Sequence, residues 1–196
     1  MRHATASAEP RKRNAAATRA AILASARTLF ARHGLDGVGV REIAAGAGVT
    51  AMMVGRYFGS KDQLFAEVVT DTMRDPVILS AANLAAPDFA AALARSLVSV
   101  TQPGGTPLDG FLVLLHSASS PRAAEISRVW LARGHQSTLE DRLPGPHAKE
   151  RAGVFLALVA GLQVMRQMME TPSLAGADPK TLEAILTPMI RALIEP

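Results

Sequence analysis

The chain has no cysteine, and its 196 residues include one tryptophan, one tyrosine and six phenylalanines. Without cysteine, a disulfide framework, a thiol redox sensor and a cysteine-based zinc site are excluded. Abundant alanine, with few aromatic or β-branched runs, favours helices over strands. The longest apolar stretch, Ala152–Met165, includes Gln163 and falls short of the ~20 residues of a membrane-spanning helix. We therefore expect an all-α protein of the cytoplasm with no membrane partner.

Catalytic and metal-binding patterns are also missing. The five histidines form no i, i+4 pair, and no carboxylate stands beside them at metal-ligand spacing. Neither a glycine-rich phosphate loop nor a nucleophile elbow is present. The sequence therefore indicates no catalytic residue, no metal site and no cofactor, and we do not expect an enzyme.

The positive charge is concentrated near the N-terminus. Residues 1–61 hold ten Lys and Arg against three Asp and Glu, and residues 62–196 hold eleven against fourteen. A basic N-terminal third before a mildly acidic remainder is typical of a DNA-binding domain joined to a different module. We expect a disordered basic arm over residues 1–13, a DNA-binding domain over 14–61 and a second domain over 62–196. The arm could follow phosphates, and a solubilising tail explains it equally well.

The segment Val40–Lys61 indicates two short helices joined by a tight turn. Gly48 can reverse the chain in a left-handed conformation, and Thr50 can cap a second helix over Ala51 to about Tyr57. This pattern is typical of a helix-turn-helix, whose second helix enters the DNA major groove. A plain helical hairpin fits the same core pattern. The first helix has one apolar face, made by Val40, Ile43, Ala44 and Ala47.

The residues that follow favour the DNA-binding interpretation. Ser60 and Gln63 have the spacing of a capping box that starts a further helix. Arg56, Tyr57 and Lys61 cluster at this helix N-terminus, where cations, a phenol and free N–H groups can meet phosphates.

Several spaced stretches resemble the tetracycline-repressor (TetR-type) family. They are Ala26–Phe30 with Gly34, then VREIAAGAGV and YFGSKDQLF, within residues 18–70. Three further runs, Phe111–Glu125, Glu150–Arg166 and Asp178–Ile190, resemble more diffusely the effector domains of such regulators. The resemblance implies an N-terminal three-helix helix-turn-helix domain and a C-terminal helical effector-binding and dimerisation domain, about nine helices in all. It implies a ligand-responsive regulator, a repressor that binds a near-palindromic double-stranded DNA operator as a homodimer and is released by a small, mostly hydrophobic effector.

The resemblance and the residue patterns together give three sets of site residues. The DNA-binding set is Arg41, Thr50, Ala51, Met52, Arg56, Tyr57 and Lys61. The effector-binding set, drawn from apolar stripes with a few polar groups, is Phe111, Leu115, His116, Trp130, Gln163, Met165 and Arg166. The dimer-interface set, drawn from the apolar faces of the last two long helices, is Leu158, Leu162, Leu182, Leu186 and Met189.

Four positions depart from the family pattern. Gly39 stands where a capping Ser or Thr is common, Met53 where a phosphate-binding Thr or Ser is common, and Gly55 where a Tyr is frequent. Met52 is a fourth departure, at a position where Gly is common. These departures motivate an alternative of a different class: a helical small-molecule-binding dimer in which DNA reading is weak or lost.

Overall fold

The computed structural model describes residues 8–72, 74–105 and 109–195, with side chains from residue 14 onward, and the regular secondary structure in these ranges is entirely helical. None of these helices combines the length and apolarity needed to cross a membrane. The helices are α1 Ala8–His33, α2 Val40–Gly46, α3 Ala51–Phe58, α4 Lys61–Thr72, α5 Ala81–Leu84, α6 Phe89–Val100, α7 Asp109–Ser117, α8 Pro121–Leu131, α9 Ser137–Glu140, α10 Ala148–Leu162, α11 Pro172–Ala175 and α12 Pro179–Ile194.

The predicted all-α class is confirmed. Two irregular turns belong to the long helices. Gln163–Met168 is a π-helical turn that extends α10, and Ala132–Gln136 joins α8 to α9 across a kink at Gly134, whose φ of −101° and ψ of −105° are not helical. With these turns counted as parts of their helices, the described residues contain the nine predicted helices and two further single turns, α5 and α11.

Helix α1 begins at Ala8, within the segment 1–13 that was predicted to be a disordered arm. The first seven residues lie outside the described part of the chain, but the backbone is already helical from Ala8. Pro10 falls in the first turn, where a helix makes no use of the missing N–H, and the alanines that follow favour helix. Residues 8–13 are therefore the first turns of α1.

The described residues divide into two compact units. The first comprises the chain up to Thr72 together with Asp109–Ser127, and the second comprises the remainder. The first unit thus extends beyond the predicted DNA-binding segment 14–61, because α4 and α7 pack against α1.

The core of the first unit is built by α1, α2, α3 and α4. The rings of Phe30 and Phe65 meet edge to face, with their centroids 5.4 Å apart. Such aromatic pairs add about 0.5–1.5 kcal/mol to the gain from burial alone. Fully buried around them are Ile22, Ala26, Ile43, Leu64, Val68, Val69 and Val113.

The core of the second unit lies among α6, α9, α10 and α12. Its largest fully buried apolar side chains are Leu93, Leu97, Leu139, Phe155 and Ile190. Arg191 of α12 pairs with Asp88, the N-cap of α6, at 2.9 Å. This contact fixes α12 along α6 at the surface of the core.

Candidate nucleic-acid interface and ligand site

The helix-turn-helix lies where the sequence predicts it. Gly48 takes φ +65°, and the N–H of Val49 donates to the carbonyl of Ala44 at 2.9 Å. Thr50 has the extended backbone of an N-cap, but its side chain makes no capping hydrogen bond to α3. The predicted role of Thr50 as a side-chain cap is therefore wrong. Its exposed hydroxyl remains available to a partner.

Two of the flanking helix starts have side-chain partners. At α2, the Gly39 N–H donates to the Glu42 carboxylate at 2.6 Å, which is the half of a capping box that needs no side chain at the N-cap. The Glu42 N–H, which a Ser or Thr side chain would have bound, donates to the Gly39 carbonyl at 3.1 Å. At α4, the Ser60 N–H donates to Gln63 Oε1 at 3.0 Å, and the Gln63 N–H donates to Ser60 Oγ at 3.1 Å. The predicted capping box is confirmed.

Helix α3 has a buried face and an open face. Val54 and Phe58 are 2% and 5% exposed, whereas Met52 is 80% exposed. Of the predicted DNA-binding residues, Arg41, Thr50, Met52 and Arg56 are exposed, and Ala51, Tyr57 and Lys61 are half-buried. The open face of α3 is apolar in its middle, with a hydroxyl at the start and a guanidinium at the end.

Lys61 is bound within the unit. Its ammonium donates to the carbonyls of Leu35 and Val38, both at 3.1 Å, in the loop between α1 and α2. An ammonium has three N–H donors, so one is left for another acceptor. Lys61 therefore fixes the loop before the helix-turn-helix, beside its predicted role at phosphates.

Arg19 is a positioning residue that the sequence patterns did not single out. Its guanidinium lies over the ring of Phe58, 4.7 Å from the centroid, and pairs with Glu67. It thereby joins α1 to the end of α3 and to the middle of α4. In the sequence, Arg19 is one of the ten basic residues that give the N-terminal third its positive charge. No local pattern distinguishes a positioning arginine from one that binds DNA.

Three predicted effector residues, Phe111, Leu115 and His116, belong to the first unit. Nδ1 of His116 lies 2.6 Å from the carbonyl of Ala31, and because a carbonyl only accepts, this nitrogen is the donor. The next residue, Ser117, accepts from the N–H of Leu35 at 3.0 Å. His116 thus holds α7 to the end of α1, and this structural role is the one that its hydrogen bond supports.

Arg166 was predicted to orient an effector, but its donors are used inside the second unit. It is 1% exposed and donates to Leu174 at 3.2 Å, to Thr101 Oγ1 at 3.0 Å and to the carbonyl of Val98. Burial lowers the pKa of this guanidinium. Three of its five N–H groups are thus bonded within the second unit, and Arg166 holds the end of α6.

Gln163 differs from its neighbours in the same π-helical turn. It is 3% exposed, and its amide makes no hydrogen bond within the described residues. Gln167, which is 7% exposed, instead donates to the carbonyl of Gly105 at 3.3 Å. The Gln163 amide is not among the fully buried side-chain groups that lack a hydrogen-bond partner, so it keeps access to a small partner molecule, and π-helical turns are frequent at functional sites.

The other predicted effector residues of the second unit are more open. Trp130 is half-buried, and Met165 is 40% exposed. The kinked segment Ala132–Gln136, which packs against α10, contains His135, and burial lowers the pKa of the His135 imidazole. His135 is a further polar group near α10 that sequence reasoning missed.

The predicted dimer residues divide between the two sides of α10 and α12. Leu162, Leu182 and Leu186 are buried in the core of the second unit, and Leu158 packs partly buried against it. Met189 is 51% exposed. The sides of α10 and α12 that point away from this core carry exposed apolar residues, which we call the apolar outer face. They are Val154, Ala157, Gly161, Ala184, Ile185, Pro188, Met189 and Ala192.

Two family models match the chain. Residues 22–68 match the model described as bacterial regulatory proteins, tetR family. Residues 87–194 match the model described as the tetracyclin repressor-like C-terminal domain. The first covers the helix-turn-helix and α4, and the second covers α6 to α12.

Individual proteins agree with this assignment. The HTH-type transcriptional repressor SCO4008 of Streptomyces coelicolor is 39% identical over 66 residues, a stretch that covers 34% of this chain and 34% of that protein. The match thus spans about a third of that relative's length. NalD, the secondary repressor of the MexAB-OprM multidrug efflux pump in Pseudomonas aeruginosa, has a similar structure at TM-score 0.61 and 25% identity, over 91% of this chain and 96% of NalD. A transcriptional regulator from Rhodococcus sp. Rha1 is 27% identical with TM-score 0.60, over 90% and 96% of the two chains.

Proposed function

Since this chain belongs to the TetR family of bacterial regulatory proteins, we propose that it is a dimeric repressor of the cytoplasm, released from a near-palindromic operator by a small hydrophobic effector. The observation that carries the DNA-binding part is the open face of α3, with Met52 80% exposed. In a helix-turn-helix this face enters the major groove.

The alternative, a binding protein with lost DNA reading, rests on Gly39, Met53 and Gly55. The Gly39 N–H is bound by the Glu42 carboxylate, and the Glu42 N–H donates to the Gly39 carbonyl. Helix α2 therefore starts with partnered N–H groups without a Ser or Thr, which weakens the argument from that position. Gly55 lies on the open face and has no packing role. DNA binding is therefore the function that we favour.

A titration against the DNA that flanks the gene of this protein tests the choice. Binding measured by fluorescence anisotropy at several salt concentrations should show sequence preference and a steep fall of affinity with salt, because phosphate contacts release counterions. Equal, weak binding to all DNA would support the alternative.

Arg56 should contribute one phosphate contact. It is exposed at the end of α3 and has no ion pair among the described residues. Arg56→Ala should weaken binding to all sequences alike and reduce the slope of log affinity against log salt by about 1. The matched control is Arg128→Ala, an exposed arginine of α8 outside the helix-turn-helix, which should leave the slope unchanged. An unchanged slope in Arg56→Ala would remove this residue from the interface.

We propose that the apolar outer face of α10 and α12 forms the dimer interface. Ile185 and Val154 are each 53% exposed, and no charged residue belongs to this face. A Cβ added to Gly161 would meet no atom within 4 Å. The space beside Gly161 is therefore open, and a second helix can approach α10 closely there. Two helices from each subunit then form a four-helix interface about a two-fold axis, which accounts for a near-palindromic operator.

We place the effector beside Gln163 in the second unit. An apolar ligand with one carbonyl or hydroxyl group would pair its unbonded amide, as pockets with few polar contacts do. Helix α8 contributes residues to both units and is the continuous element through which such a ligand would act. The ligand shifts DNA binding by its differential affinity for the two states, typically ~1–3 kcal/mol.

Replacing Gln163 by leucine should separate ligand binding from stability. Gln163→Leu removes an unpaired amide at similar volume, so we expect an equal or higher melting temperature with weaker binding of phenols and aromatic amides. Gln167→Leu breaks the bond to Gly105 and should lower the melting temperature instead. Emission from Trp130, the single tryptophan, reports the titrations, and anisotropy of labelled operator reports release. Tight binding that leaves DNA affinity unchanged would refute the coupling.

A further inference from the structure

A glycine lies in the middle of α3 with no packing role inside the protein. A Cβ added to Gly55 would meet nothing within 4 Å. At Gly34 and Gly59, by contrast, an added Cβ would lie 2.3 Å and 2.1 Å from another atom, and both have positive φ. Because glycine is among the residues least favourable to a helix interior, the folded chain gains nothing from Gly55.

Met52 lies next to this gap. Residues three apart on a helix are neighbours on one face, so Met52 and Gly55 share the open face of α3. At 80% exposed, Met52 is the most open large hydrophobic residue among the described ones. The open face of α3 thus has an exposed methionine and, about one turn further on, a position with no side chain.

In the proposed complex, this part of α3 faces the major groove of DNA, where one kind of group on the base edges is apolar. In the major groove, base edges present hydrogen-bond donors and acceptors, and thymine alone adds a C5-methyl group. Neither Met52 nor Gly55 has a side-chain donor, and the nearest polar side chains on the open face are Thr50 and Arg56 at its two ends. A methyl group is therefore the base feature that fits the middle of α3.

We infer that Gly55 and Met52 form a specificity-determining recess that receives the methyl group of one thymine in each half of the operator. The inference rests on the proposed binding of DNA through α3. The missing Cβ lets the base approach the helix backbone, and the Met52 thioether covers the methyl group. Discrimination at this base pair then comes from the methyl group and not from a hydrogen bond.

Deoxyuridine tests this assignment, because it lacks only the thymine methyl group. The full chain first selects its site from a random pool of double-stranded DNA, and each thymine of that site is then replaced in turn. At one position in each half-site we expect wild-type affinity to fall about fivefold, the size of one buried methyl group.

Variants of the two residues complete the experiment. Gly55→Ala should raise the melting temperature, bind the unmodified site about tenfold more weakly, and lose the deoxyuridine effect. Met52→Gln should lose the effect too, whereas the control Met52→Leu should keep it.

The failing outcomes are distinct. If Gly55→Ala binds like the wild type with the same deoxyuridine profile, the recess has no role. If Gly55→Ala weakens binding to all DNA alike and the profile persists, the gap serves the sugar–phosphate backbone, and the thymine assignment is wrong. If the wild type selects no site from the pool, the proposed function fails together with the inference.

Discussion

Ile185→Asp is expected to convert the dimer to a folded monomer and to lower operator affinity by more than 100-fold. Ile185 is 53% exposed in the subunit, so the substitution costs the monomer little, on the order of 0.5 kcal/mol. In the proposed interface it buries a carboxylate from each subunit, and an unpaired buried charge costs several kcal/mol. A monomer contacts one half-site and loses the contribution of the other.

The measurement is sedimentation velocity at micromolar concentration, with thermal unfolding to show that the fold persists. Lys180→Asp is the matched control, because it places the same carboxylate on α12 at an exposed position outside the apolar outer face. It should remain dimeric. A wild-type protein that sediments as a monomer would contradict the interface and the palindromic operator together.

Local signals predicted the helix-turn-helix well. Gly48 at the turn and the pair Ser60 and Gln63 at the start of α4 act over three to four residues, and the structure has both where the spacing predicts them. Thr50 failed as a side-chain cap because the rule gives the residue type that can cap, while the rotamer decides whether it does.

Contacts between distant residues were not predictable in the same way. His116 and Ala31 are 85 positions apart, and Arg166 and Val98 are 68 apart. Periodicity shows which face of a helix is apolar but not which element covers it. Both polar groups therefore looked available for a ligand, although each is bound to a carbonyl of its own unit.

Helix α12 shows why the interface residues changed. Its inner side holds Leu182 and Leu186, and its outer side holds Ile185 and Met189. Since both sides are apolar, the sequence pattern alone does not distinguish the core from the interface. The π-helical turn at Gln163–Met168 has no local sequence signal of the kind that marks caps and turns, and so Gln163 was not distinguished from Arg166 before the structure.

Gly34→Val is expected to destabilise the first unit by about 3–5 kcal/mol, from backbone strain and overpacking together. Gly34 has φ +68°, and its added Cβ would lie 2.3 Å from the backbone oxygen of His116. That oxygen cannot move alone, because the His116 ring is bound to Ala31 and Ser117 is bound to Leu35. Relief requires α7 to move away from α1. Since domains are stable by about 5–15 kcal/mol, a loss of this size removes a large share of the stability and unfolds the first unit only if its stability lies at the low end of that range.

Gly48→Val separates the two causes of this loss. Gly48 has nearly the same φ, +65°, but an added Cβ there meets nothing within 4 Å, so strain alone should cost about 1–3 kcal/mol. Urea unfolding followed by circular dichroism gives both free energies at 25 °C, with Gly34→Val the less stable by at least about 1 kcal/mol. Equal stability of the two variants would mean that α7 does not approach α1 at Gly34. A larger loss in Gly34→Val would instead give the free-energy cost of the steric clash between the added side chain and the His116 carbonyl. It would show that the end of α7 packs tightly against the end of α1, in the unit that contains the helix-turn-helix.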